Sequence, residues 1–149
     1  KCIDSSNGNQ IWSYPLDSQA YTNPVVSESG VIYIGDGSGT LHAVNGSGGR
    51  IWTKNLGSIY SSCVLGDNRV VYVVGGTKLY ALNETNGTIV SSVELESYVE
   101  SNPVLYDGKL FLADEAGYFY VVKVLSNEIQ NPDRSWPMFQ KDWYHSATR

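Results

Sequence analysis

The sequence predicts an all-β protein made of four-stranded antiparallel units that repeat about every 40 residues. Three observations predict it. A small-polar step followed by an apolar residue recurs as Thr22-Asn23-Pro24-Val25, Ser61-Ser62-Cys63-Val64 and Ser101-Asn102-Pro103-Val104, with positions 24, 63 and 103 spaced 39 and 40 apart. Each step leads through a polar turn into a β-branched and aromatic run, as in Val70-Val-Tyr-Val-Val-Gly-Gly76, the composition that suits a pleated, half-buried surface. No stretch before residue 125 shows the 3.6-residue apolar period of a helix.

Taken in order, residues 1–14 read as a strand end, the turn Asp4–Gly8 and a strand over Gln10–Tyr14. Asn7-Gly8 is a strong short hairpin signal. Residues 20–58 make a complete unit, with strands at Tyr21–Val26, Val31–Gly35, Thr40–Val44 and Arg50–Lys54. Val31-Ile-Tyr-Ile34 is continuously apolar, which predicts a strand covered on both faces. Asp36-Gly-Ser-Gly39 lacks the further oxygen ligands of a calcium loop and reads as a plain turn. Residues 59–97 repeat the unit at Tyr60–Leu65, Val70–Val74, Lys78–Leu82 and Thr88–Val93. Residues 98–125 begin another, at Val99–Leu105, Lys109–Ala113 and Tyr118–Val124, without a clear fourth strand. The segment 126–149 breaks the pattern. It carries Trp136, Met138, Phe139 and Trp143, too many apolar side chains for a solvated end, and is expected to cap the sheets.

The chain has 149 residues, enough for a core of its own. A net charge of −5, with no basic cluster, argues against nucleic acid and anionic membrane as partners. No apolar run reaches membrane-spanning length. Cys2 and Cys63 are not in metal spacing and occupy different slots of non-adjacent repeats, so two small buried thiols are expected and not a disulfide. Three sequons, at Asn45, Asn83 and Asn86, fall in tight turns. Turn chemistry alone calls for asparagine there, and glycosylation of an exposed surface is the other reading.

Four-stranded units at this period indicate a β-propeller, one unit per blade. The residues after each third strand sharpen that. Cys2-Ile-Asp4-Ser-Ser-Asn7-Gly8-Asn-Gln-Ile-Trp12 resembles the tryptophan-docking motif of PQQ-type, quinoprotein-like propellers: alanine, an acid two later, Thr-Gly, then tryptophan. A second copy has Ala43, Asn45, Gly49 and Trp52, with the turn one residue shorter. A third has Ala81, Asn83 and Gly87 but Ser91 in the tryptophan slot. A fourth has Val121 and Lys123, with no glycine or tryptophan. Trp136-Pro-Met-Phe139, with Asp142 and His145, is similar to a segment at the ends of many propellers of this family. The resemblance implies that Trp12 and Trp52 dock neighbouring blades, that Asp4, Asn45 and Asn83 hold turns, and that Trp136 and Phe139 anchor the tail.

True PQQ dehydrogenases bind a quinone on the propeller axis, usually with calcium. The adjacent cysteine pair found in some of them is absent here. Asp67, Asp107, Asp114 and Glu115 fall in turns expected to be solvated, and His145 reads as a packing residue. No hydrolase or phosphate-loop motif occurs. The expectation is a non-catalytic, cofactor-free propeller segment, extracellular, cell-surface or periplasmic, serving as a scaffold for other protein chains and possibly glycans. Two alternatives stand beside it: a fragment of a PQQ-dependent oxidoreductase, and a periplasmic scaffold for outer-membrane assembly. At about 40 residues per blade the chain is short of the four to eight blades that close a propeller. The missing blades are expected from the rest of a longer chain or from other chains, with a stable open array capped by the tail as the third reading.

Overall fold

A computed structural model of the chain describes residues 1–66 and 69–124. It is a partial β-propeller, all-β, with no helix among the described residues. The first sheet has two strands, β1 (Cys2–Ile3) and β2 (Gln10–Trp12). The second has four, β3 (Val25–Val26), β4 (Ile32–Gly35), β5 (Thr40–Val44) and β6 (Arg50–Asn55). The third also has four, β7 (Val64–Gly66), β8 (Val70–Gly75), β9 (Lys78–Asn83) and β10 (Ile89–Glu94). The last has three, β11 (Val104–Tyr106), β12 (Lys109–Ala113) and β13 (Phe119–Lys123). Every pairing is antiparallel and every strand lies beside its sequence neighbour.

The core lies between sheets. One cluster joins Val25, Tyr33, Leu41, Ala43 and Trp52 of the second sheet to Leu65, Val71, Val73 and Leu82 of the third. A second joins the opposite face of the third sheet (Val64, Tyr72, Val74, Leu79 and Ala81) to Leu105, Leu110 and Leu112 of the last. The alternation of side chains along each strand supplies both faces. Strand β8 is therefore buried at all six positions. The both-faces expectation for Val31–Ile34 is corrected: Ile32 and Ile34 are half-buried while Tyr33 is buried. Ile32 and Ile34 share their face with Val44 and His42, their partners on β5, a face that the third sheet does not cover.

The expected inner strands are also corrected. Strands β3, β7 and β11 begin at Val25, Val64 and Val104, not at Tyr21, Tyr60 and Val99. Pro24 and Pro103 have no N–H to give a ladder, and the polar step has other uses. Thr22 Oγ1 accepts from Gly35 N and donates to Gly35 O, and Ser101 does the same with Ala113. Asn23 N donates to Ser62 Oγ at 3.0 Å, and Ser62 N donates to Asn102 Oδ1 at 2.9 Å. These three equivalent positions, 39 and 40 residues apart, tie consecutive sheets at their inner ends.

Both cysteines are free thiols. Cys63 is buried, but Cys2, on the two-stranded sheet, is only half-buried, because that sheet has less protein around it. Burial pushes the Cys63 thiol up to about 12, leaving almost no reactive thiolate at neutral pH. A disulfide-exchange reagent at pH 7 should therefore label Cys2 in the folded chain and Cys63 only after denaturation. Two equally fast thiols in the folded chain would contradict the closed core between the second and third sheets.

Candidate functional site

Two kinds of construction concentrate the polar chemistry of this chain: the blade junctions, and a cluster around a buried histidine.

At the first junction, Trp12 on β2 pairs with Cys2 across its own sheet. Its ring reaches the β5–β6 turn of the next sheet, where Nε1 donates to Gly46 O at 3.0 Å. At the second, Trp52 on β6 pairs with Ala43 and its Nε1 donates to Glu84 O at 2.8 Å. Trp52 also lies against Tyr33, ring centroids 5.8 Å apart. The rings rest on glycines: a Cβ on Gly48 would stand 2.8 Å from the Trp12 ring, and one on Gly87 would stand 2.7 Å from the Trp52 ring. Both glycines have positive φ, so both backbone shape and space require glycine.

The glycine under the Trp12 ring is thus Gly48, one residue before Gly49 of the motif. The shortened turn moves the gap past the contact, and a Cβ on Gly49 would meet the Asn45 side chain instead. No described side chain stands over Gly8. Asp4 Oδ1 accepts from Ser6 N and Ser6 Oγ. Asn45 Oδ1 accepts from Ser47 N and Gly49 N, and Asn83 Oδ1 accepts from Thr85 N. Asn86 Oδ1 accepts from Thr88 N and Thr88 Oγ1. Each of the three sequon asparagines thus spends its side-chain oxygen on its own turn. Trp136 and Phe139 lie outside the described residues, as do His145 and Asp67.

The second construction was not legible as a site. His42 on β5 is buried, and its Nε2 lies 3.0 Å from Asp36 Oδ2. The ionised carboxylate can only accept, so Nε2–H donates. In the neutral ring Nδ1 is then left to accept from Tyr14 Oη, at 3.0 Å. Asp36, which heads the turn, is fully buried. Burial pushes its carboxyl up, but hydrogen bonds from Ser38, His42 and Thr40 outweigh this and hold it at about 2. Asp114, expected to be solvated, departs from that expectation. It is buried and accepts from Tyr118 N and Tyr120 Oη, whereas Glu115 beside it is exposed. The usable signal was the spacing: Asp36 and His42, like Asp114 and Tyr120, are six apart across the same turn.

Beside this cluster opens a cavity of about 310 Å³ lined by Tyr14, Pro15, Asp17, His42, Arg50 and Thr53. Among the described residues, Asp17, Asp36 and His42 form one group close enough to hold a metal ion. They do not fit one. Asp36 Oδ1 accepts from Ser38 N, Ser38 Oγ and Thr40 N, and Oδ2 accepts from Asp17 N and His42. Both histidine nitrogens are engaged as well. A cation would have to displace bonds that hold the turn and the incoming chain together. A further groove of about 290 Å³, between the second and third sheets, is lined by Tyr33, Ile51, Arg69 and Glu84 among others.

Residues 37–142 match the PQQ_2 family, described as outer membrane protein assembly factor BamB. The chain belongs to this family. It is 34% identical over 109 residues to the BamB of Salmonella typhimurium, covering 72% of this chain and 27% of that protein. The chain thus spans about a quarter of the length of that BamB relative. Its fold is that of BamB from Moraxella catarrhalis, with a TM-score of 0.66 at 19% identity over 85% of this chain and 44% of that one. A quinohemoprotein alcohol dehydrogenase from Pseudomonas putida is similar in fold as well, with a TM-score of 0.68 at 19% identity over 81% of this chain and 22% of that one. At such identity these structures speak to the fold alone, and the fold they share with this BamB-family chain is the propeller.

Replacing Trp52 by alanine should cost about 3–5 kcal/mol, the range for a buried aromatic, and Trp52→Phe roughly 1 kcal/mol for the lost bond to Glu84. Urea unfolding of the two variants checks both, and a loss below about 1 kcal/mol for Trp52→Ala would remove the docking role. Asp36 is held below its ordinary value of 3.8. Its contribution is therefore present above pH 3.8 and lost as pH falls towards about 2. Asp36→Asn should lower stability at pH 7 and flatten its decline across that window, read as urea midpoints at pH 7, 4 and 2.5.

Proposed function

We propose that this chain is a non-catalytic propeller segment of a periplasmic scaffold for outer-membrane protein assembly. The observation that carries this is the match to the BamB family across residues 37–142, a family described by that role. The state of the polar cluster supports the absence of chemistry. The groups best placed for it, Asp36 and His42, are committed to their own turn and to Tyr14. The outer strands support a binding role, since Ile51 on β6 and Ile89, Val90 and Val93 on β10 are exposed. A row of apolar side chains on solvent-facing strands favours contact with other protein. The sequon asparagines are better explained by their turns than by glycans, and the family description favours the periplasm over an extracellular surface.

The test uses the full-length parent protein and an unfolded outer-membrane β-barrel protein. Scaffold function predicts saturable binding and slower aggregation of the barrel protein. It also predicts that Ile89→Asp with Val90→Asp weakens binding about tenfold or more without shifting the melting temperature. Absence of binding, together with dye reduction that requires added quinone and calcium, would reassign the chain to the oxidoreductases.

A further inference from the structure

The third blade junction lacks its indole. Ser91 pairs with Ala81 across β9 and β10, as Trp52 pairs with Ala43 and Trp12 with Cys2. Tyr72 pairs with Ala81 as Tyr33 pairs with Ala43, and Tyr33 is the residue on which Trp52 leans. At Ser91 there is instead a crevice of about 60 Å³ between the third and last sheets, bounded by Tyr72, Ala81, Ser91, Val93, Val122 and Val124. Its outer side is open, since every residue of β10 is exposed. The same repeat position that is 8% exposed as Trp52 thus presents a serine beside an apolar slot. The slot already has the tyrosine and the small residue that receive an indole elsewhere in this chain.

We propose that residues 135–139 of the same chain, Ser-Trp-Pro-Met-Phe, dock at this slot, with Trp136 entering it in place of the missing indole. Three features select this occupant. The segment 125–149 follows directly from Val124, which itself bounds the crevice. Eleven residues lie between Val124 and Trp136, enough to span roughly 40 Å when extended and to fold back on an adjacent slot without strain. A tether of that length also gives a local concentration on the order of millimolar, which favours this indole over one from another chain. The crevice is smaller than a whole indole, so the ring enters edge-on against Tyr72 and covers Ser91 and Val93.

Hydrogen exchange on the intact 149-residue chain tests this. The amides of 135–139 should exchange at least about tenfold more slowly than an unstructured peptide. Ser91→Trp, which fills the slot from its own strand, should release them to unstructured rates while β8 and β9 stay protected. Absence of protection in the unmodified chain, or protection that persists in Ser91→Trp, would overturn the proposal. Should Ser91→Trp fail to fold, a benzophenone amino acid in place of Trp136 gives an independent reading. Photo-cross-links within one chain to residues 89–94 or 120–124 are expected. Cross-links elsewhere, or only between two chains, would overturn it.

Discussion

Burial between neighbouring sheets is the interaction on which the rest of this structure depends. A single four-stranded sheet has apolar side chains on both faces and no means of covering either. The third sheet meets that requirement in full, with one face against the second sheet and the other against the last. Burying a Val, Leu or Tyr side chain in this way contributes about 1.5–3 kcal/mol each, offset by the ordering of the chain. Face burial has no direction, however, and does not by itself fix how two sheets are rotated on one another. The directional contacts do that. The indoles of Trp12 and Trp52 bond to carbonyls 34 and 32 positions away, fixing the outer ends of the sheets. The bonds from Asn23 to Ser62 and from Ser62 to Asn102 fix the inner ends.

Much of this was legible because a repeat states its rules more than once. The period and the strands β4, β5, β8, β9 and β12 all follow from comparing one copy with the next. What failed was whatever a single copy could not settle. Strands β3, β7 and β11 were drawn too long, because β-branched and aromatic residues are indifferent to whether their backbone donors go to a ladder. In the structure Ser62 N goes to an asparagine side chain in the next sheet. Gly48 and Gly49 are adjacent and chemically identical, so only the positive φ and the position of the Trp12 ring separate them.

The buried cluster at His42 was missed for a different reason. Its members, Tyr14, Asp17, Asp36 and His42, come from a chain segment between sheets, a turn and a strand, and no local spacing joins the first two to the last. Asp36 was legible only as a turn residue, and turn aspartates are generally exposed. Burial became possible because five hydrogen bonds meet the carboxylate, the condition under which a buried charge is tolerated. Asp114 shows the same solution with a tyrosine in place of the histidine, so the position is an architectural one that accepts different partners.

That substitution bears on function. A catalytic histidine would need a free nitrogen facing a substrate and a partner whose identity the chemistry dictates. Here Tyr120 performs the task of His42 at the equivalent turn, and both His42 nitrogens are taken by groups that also hold backbone or ring in place. A side chain replaceable by a phenol in a sister repeat is holding a turn to the chain that passes it. Rigidity built in this way leaves the outer strands, apart from residues such as Trp12 and Trp52 that reach the next sheet, free to vary. The exposed run of β10 shows what that freedom yields: the inner three strands of its sheet keep the geometry, and the fourth stays open on its outer side.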